Sequence, residues 1–287
     1  MRYVSPMKYP LISVDTLASH LGQPNLVIVD ASFYLPTEKN DAIAVFVNRR
    51  IPGAQFFDLE RIADVETPLP HMLPAAEEFA ESVAALGISN NSQIVVYDQR
   101  GLFSAARAWW MFRVFGHDDV TVLDGGLPKW MAEGQEIEGT TPVTPAEGAF
   151  IPRFQPELVR DQAAIMANLE SRCELLLDAR GFGRFAGTTP EPRAGVQSGH
   201  IPGAVSLPFT NLLNVDQTMK PPPELQEIFR KVGVTHACRP VTMCGSGITA
   251  AVLTLGLAVA GLPTGALYDG SWAEWGSRDN TPIERTE

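Results

Sequence analysis

The 287-residue chain reads as an α/β protein built of two tandem domains, each a mainly parallel sheet with helices on both faces. Three observations lead there. Motifs recur at a period of a whole domain, short apolar runs alternate with helical patterns inside each half, and the chain is too long for one ordinary domain.

The repeats run in order. Leu26-Val-Ile-Val-Asp30-Ala31 answers Leu175-Leu-Leu-Asp178-Ala179, and Ile51-Pro-Gly-Ala54 answers Ile201-Pro-Gly-Ala204. Ile94-Val-Val-Tyr-Asp98 answers Pro240-Val-Thr-Met-Cys244, and Asp124-Gly-Gly-Leu-Pro-Lys-Trp130 answers Asp269-Gly-Ser-Trp-Ala-Glu-Trp275. The four pairs are offset by 148, 150, 146 and 145 positions, so a whole domain has been duplicated. Gly139 to Gly148 is rich in turn residues without a hydrophobic period, which predicts a linker with a boundary near Pro145. The domains are then 1–144 and 145–287.

Within each half the apolar runs 26–30, 94–97 and 120–123, then 174–177, 240–243 and 265–268, have strand length. Pro74 to Leu86 has helical spacing, and Ile248 to Ala260 is apolar all round but shorter than the ~18–20 residues that cross a bilayer. It reads as a buried helix. In such folds the reactive groups belong at the carboxyl ends of strands.

Composition narrows the function classes. With 45% apolar and 19% charged residues the chain is of soluble globular type. Its 22 basic against 33 acidic residues give a net charge of −11, which disfavours nucleic acid or an anionic membrane as partner. The segment Met1 to Pro10 lacks the apolar core and cleavage site of a secretory signal, which points to the cytoplasm. Cys173, Cys238 and Cys244 are odd in number and lack a Cys-x-x-Cys spacing, so neither a disulfide framework nor a zinc site is expected.

Of the three, Cys244 has the chemical setting. Cys244-Gly-Ser-Gly-Ile-Thr-Ala250 stands where a buried strand ends and an apolar helix begins, and there backbone N–H groups lack helical partners. Gly245 and Gly247 allow the loop to turn its N–H groups inward as an anion nest, which favours thiolate over thiol. A lone cysteine at a strand end is ordinarily an inert small hydrophobe; the glycine loop argues for a nucleophile.

The loop resembles the active-site loop of the 3-mercaptopyruvate sulfurtransferases of the rhodanese superfamily, with Ile248 where those enzymes usually have Val. The resemblance extends through His71-Met72-Leu73, Tyr97-Asp98, Trp109-Trp110-Met-Phe-Arg113, Gly199-His-Ile-Pro-Gly203 and Tyr268-Asp-Gly-Ser-Trp272. It implies two rhodanese-like domains, of which the second is catalytic and the first, with Asp98 at the position of the cysteine, has lost its nucleophile. It further implies that Arg184 and Arg193 hold the carboxylate and keto oxygen of 3-mercaptopyruvate, a task suited to a guanidinium fork. By the same resemblance Gly245, Gly247, Ile248 and Thr249 line the donor site, while Ser246, His71 and Glu60 handle protons. Arg50 departs from the family, which has His there; its second-half counterpart His200 is kept, and a structural effect in the first domain is expected.

The implied reaction runs through a Cys244 persulfide, releases pyruvate and passes sulfur to cyanide, a small thiol or a thioredoxin-like dithiol. No metal or organic cofactor is required. A thiosulfate sulfurtransferase is the nearest alternative, but its loop usually carries Arg and Lys where Gly245 and Ser246 stand. A cysteine phosphatase would need Arg where Ala250 stands. A protein-binding module that keeps its cysteine by descent leaves the complete second loop unexplained.

Overall fold

The computed structural model describes residues 9–35, 37–139 and 143–286. Met1 to Lys8 of the amino-terminal segment and Thr140 to Pro142 of the expected linker lie outside the described residues. The first sheet holds β1 (Leu11–Ile12), β2 (Leu26–Asp30), β3 (Gln55–Phe56), β4 (Gln93–Tyr97) and β5 (Val120–Leu123), in the order β1-β5-β4-β2-β3. The second holds β6 (Val159–Arg160), β7 (Leu175–Asp178), β8 (Val205–Ser206), β9 (Pro240–Met243) and β10 (Ala266–Tyr268), in the order β6-β10-β9-β7-β8. Every pairing is parallel.

The same order in both sheets makes β4 and β9 the central strands. Both are largely apolar and, apart from Gln93 at the start of β4, fully buried, as parallel strands under helices must be. On one side of the first sheet Ile28, Val95, Tyr97 and Leu123 pack with Val14, Leu17, Phe46 and Trp130. The second sheet repeats this with Leu176, Val241, Met243 and Tyr268 against Ile165, Trp272 and Trp275. Fully burying one such side chain contributes ~1.5–3 kcal/mol, so each core fixes its strands firmly.

After each central strand the chain makes a loop and enters a buried helix, Ala105–Val114 in the first half and Ala250–Val259 in the second. Neither helix has a polar face, because nearly every side chain on each is buried. That burial anchors the loop before it at both ends, one on the central strand and one on an immobilised helix.

The chain divides into two compact units that each borrow a segment from the other half of the sequence. The first comprises residues up to Ile62, Pro74–Phe154 and Asn214–Met219; the second comprises Ala63–Leu73, Gln155–Leu213 and Lys220 to the carboxyl end. The borrowed segments are tied in equivalently. The Leu73 N–H donates to Asp269 Oδ2 at 2.8 Å within the second unit, and the Met219 N–H donates to Asp124 Oδ1 at 2.8 Å within the first. Residues 148–153 run along the first unit: the Gly148 N–H donates to the Ala84 carbonyl and the Ile151 N–H to Asn90 Oδ1.

Arg50 is buried and serves the first unit's architecture. It exchanges backbone bonds with Glu138, pairs with that carboxylate at 2.6 Å and lies against the Phe46 ring. His200, its counterpart, exchanges the same backbone bonds with Glu284 and stacks on Phe185 at 3.9 Å.

Candidate active site

Cys244 directly follows β9 at the carboxyl edge of the second sheet, beside the strand where the sheet order reverses, the usual place for a ligand crevice. Its side chain is buried, 3% exposed. Two hydrogen bonds and a strained residue hold its backbone. The Cys244 N–H donates to Ser271 Oγ at 3.2 Å, the Cys244 carbonyl accepts from the Trp272 N–H at 3.0 Å, and Ser271 adopts a left-handed backbone with φ 49°. A non-glycine residue held there costs of order 1 kcal/mol, which the surrounding bonds must offset.

The loop then turns through Gly245 and Gly247, the latter at φ 78° where a Cβ would be strained. Among the described residues no protein acceptor takes the N–H groups of Gly245, Ser246, Gly247, Ile248 or Thr249. Donors without protein acceptors in the loop that follows a buried thiol can receive negative charge. Ser246, Gly247 and Ile248 are buried, and Gly245 and Thr249 half-buried.

Of the other side chains expected in the site, His71, Arg184 and Arg193 converge on this loop. Ser246 Oγ shares a 3.0 Å hydrogen bond with His71 Nδ1, and Arg193 Nη2 reaches the same oxygen at 3.5 Å. His71 belongs to the borrowed segment 63–73 of this unit, is buried, and takes a left-handed backbone with φ 61°. Burial pulls the Arg193 guanidinium below its usual range; the charge of Cys244 acts the other way and that of Arg184 adds to the lowering.

Arg184 lies across Gly245. A Cβ built on that glycine would meet Arg184 Nη2 at 2.9 Å, so the guanidinium occupies the space of a missing side chain. Its Nε and Nη2 donate to the carboxylate of Glu191, at 3.1 and 2.5 Å, which leaves Nη1 outside that ion pair.

Glu60 is part of the first unit. It is exposed in a turn closed by Asp58, on the wall of a cavity shared with Ser32 and Tyr34. Cys173 and Cys238 sit just before β7 and β9, at the opposite strand ends from Cys244.

Reading the sequence missed the groups behind the arginines. Asp178, at the end of β7, holds Arg180 at 2.6 Å; Arg180 in turn reaches Glu191 at 2.8 Å and lies 4.3 Å from the Trp272 ring. Asp178 and Arg180 are fully buried, and the Glu191 side chain is 3% exposed. Asp178 belongs to the repeated Leu175-Leu-Leu-Asp178-Ala179, but nothing in linear spacing shows that residues 178, 180, 184 and 191 form one line of alternating charge.

A buried cysteine in an open N–H cradle at the end of the central strand, faced by two arginines, defines a rhodanese-type site in the second of two duplicated domains. The Rhodanese-like domain model matches residues 13–133 and again 161–278. The chain is 40% identical to the 3-mercaptopyruvate sulfurtransferase of Escherichia coli strain K12, over 95% of this chain and 97% of that one. It is 42% identical to the mitochondrial thiosulfate/3-mercaptopyruvate sulfurtransferase 1 of Arabidopsis thaliana, over 97% of this chain and 79% of that one. Among solved structures, that of SseA from Escherichia coli, a 3-mercaptopyruvate sulfotransferase with the rhodanese fold, superposes with a TM-score of 0.84 at 38% identity, covering 92% of this chain and 99% of that one. The chain belongs to the 3-mercaptopyruvate sulfurtransferase family of the rhodanese superfamily.

Proposed function

We propose that the protein moves sulfane sulfur from 3-mercaptopyruvate to a thiophilic acceptor, with Cys244 as the nucleophile. The observation that carries this reading is the convergence of Cys244, Ser246, His71, Arg184 and Arg193 on one loop of the second unit. The catalytic work then falls to the domain 145–287 together with His71, while the domain 1–144 carries no nucleophile. No role for Glu60 follows from its surroundings in the first unit.

The steps follow from the chemistry of these groups. The Cys244 thiolate attacks the sulfur of the donor; the S–S bond forms as the carbon–sulfur bond breaks, and the carbon keeps the electron pair as the enolate of pyruvate. Arg193 and Nη1 of Arg184 bind the carboxylate and keto oxygen, the oxygen on which the enolate charge develops. The Ser246–His71 pair supplies a route for the proton that converts enolate to pyruvate. The persulfide charge rests in the loop N–H groups until cyanide, a small thiol or a thioredoxin-like dithiol removes the outer sulfur. Reduced thiol acceptors fit a cytoplasmic setting, and among the described residues no helix is long and apolar enough to cross a membrane.

Charge favours the keto acid over thiosulfate. Asp178, Arg180, Glu191 and Arg184 sum to zero, and Arg193 makes no ion pair with a carboxylate among the described residues. One net cation suits a monoanion better than a dianion. Incubation with 3-mercaptopyruvate followed by intact mass measurement tests the reading: a gain of about 32 Da, one sulfur atom, mapped to Cys244 is expected. Pyruvate release without any label on Cys244, or an unlabelled and inactive folded protein, would sink it. Comparing pyruvate release from mercaptopyruvate with sulfite release from thiosulfate ranks the two donors.

A further inference from the structure

We propose that Glu191 is a positioning and specificity-determining residue that matches the site to a monoanionic α-keto acid by fixing Arg184 and cancelling its charge. The inference rests on the reading of Arg184 as a donor-binding group.

Three features lead to it. First, Glu191 receives two donors from Arg184 and one from Arg180, so the carboxylate joins a substrate-facing arginine to a fully buried one. Arg180 is itself clamped by Asp178 through Nε and Nη2 and by the Gly199 carbonyl at 2.7 Å, which makes it a rigid post. Second, Arg184 is only 27% exposed and its guanidinium lies over Gly245, next to the nucleophile. A long side chain with several torsions would otherwise sample many positions; the two-point contact to Glu191 selects the one across the loop. Third, the carboxylate consumes a charge. Without Glu191 the four-group line would carry one net cation, and Arg193 would raise the total to two.

A purely structural role would make Glu191 a plug for Arg180, whose loss lowers stability and leaves donor choice alone. Specificity control predicts more. Glu191→Gln keeps the shape and removes the charge, so the ratio of kcat/KM for thiosulfate to that for mercaptopyruvate should rise by about tenfold or more, because an added cation in a partly desolvated site attracts a dianion more than a monoanion. The kcat/KM for mercaptopyruvate should fall by roughly 10- to 100-fold as Arg184 loses its anchor. Glu191→Asp keeps the charge on a shorter arm: the donor ratio should stay near that of the parent while the KM for mercaptopyruvate rises several-fold through misplacement of Arg184.

The assay measures both donors with cyanide as acceptor at one ionic strength, on proteins whose melting curves confirm folding. A folded Glu191→Gln protein with an unchanged ratio overturns the proposal. Should that variant not fold, a Glu191→Asp protein with parental KM for mercaptopyruvate overturns it equally. Arg184→Ala separates the two levels: unaltered mercaptopyruvate kinetics there would remove the reading of Arg184 itself. A strong loss with Arg184→Ala beside a constant donor ratio in Glu191→Gln would refute only the role of Glu191.

Discussion

The loops after β4 and β9 start from the same place in the same sheet order and end in the same kind of buried helix, yet one is filled and the other open. In the first, the Asp98 carboxylate accepts from the N–H groups of Arg100, Phe103, Ser104 and Ala105 at 2.8–2.9 Å. In the second, Cys244 stands at the equivalent position and the N–H groups of Gly245 to Thr249 have no protein acceptor among the described residues. The first loop therefore displays what such a turn does with a negative charge. Duplication preserved a backbone able to hold an anion: in the first copy it is a permanent carboxylate, and in the second, on the mechanism proposed above, it is made during the reaction.

The neighbouring strand ends differ in a related way. Asp178 ends β7 with a guanidinium partner, Arg180, whereas Asp30 ends β2 with only neutral ones, Ser32 and Gln99. Burial pushes the Asp30 carboxyl up to about 6, against the pull of the Ser32 and Gln99 hydrogen bonds. The second copy has charge at the place where the first has polarity, and from that charge runs the line to Arg184.

The sharpest way to break the contrast is to exchange the proposed nucleophile. Cys244→Ser should lower sulfur transfer from mercaptopyruvate by at least about a thousandfold, since a hydroxyl neither ionises near neutral pH nor stores sulfane sulfur. Asp98→Ala should keep turnover within a few-fold wherever it remains folded. Steady-state pyruvate release measures both, and comparable activity in Cys244→Ser and the parent would end the assignment.

Stability should show the reverse order. Asp98→Ala removes the acceptor of four buried or half-buried N–H groups and should cost about 2–4 kcal/mol, while Cys244→Ala should cost about 1 kcal/mol because no such donors depend on it. Urea unfolding midpoints decide this, and equal losses would mean that the two loops are not filled and open in the sense described.

Asp30 predicts a pH signature in the first copy. Its folded value lies above the unfolded one near 3.8, so its contribution to stability is full below that value and is lost as pH rises through about 6. Across that window the stability of the parent relative to Asp30→Asn should fall by about 3 kcal/mol. A difference between the two proteins that stays constant from pH 4 to 7 would contradict the assigned burial.

The smallest expected effect is the most local. Gly245→Ala places a methyl where Arg184 Nη2 now lies, and the flexible end of the arginine can yield, so folding should change little. The KM for mercaptopyruvate should rise by about 3- to 10-fold, roughly 1 kcal/mol. An unaltered KM would show that Arg184 has no fixed position over the loop.

Much of this was legible before any coordinates. The runs at 26–30, 94–97, 120–123, 174–177, 240–243 and 265–268 became the six longer strands within a residue, because short, mainly apolar stretches between turns leave little alternative. The two-residue strands β1, β3, β6 and β8 carry no such pattern; they exist because a neighbouring strand offers an edge to pair with. Cys244, Ser246, Arg184 and Arg193 were named from the glycine loop and from motif resemblance. Glu191 and Arg180 were passed over, since a charged residue in a Gly/Pro-rich stretch ordinarily faces water.

By itself the sequence determined the duplication, the α/β class and the position of the thiol, for these depend on hydrophobic period, repeat order and the backbone freedom of glycine, all local properties. Only the tertiary structure decided that segment 63–73 joins the second unit and brings His71 to Ser246, and that Asp178, Arg180, Glu191 and Arg184 stand in line. Those pairings join residues far apart or out of phase along the chain, and the free energy that fixes them comes from burying charged groups that must then find partners.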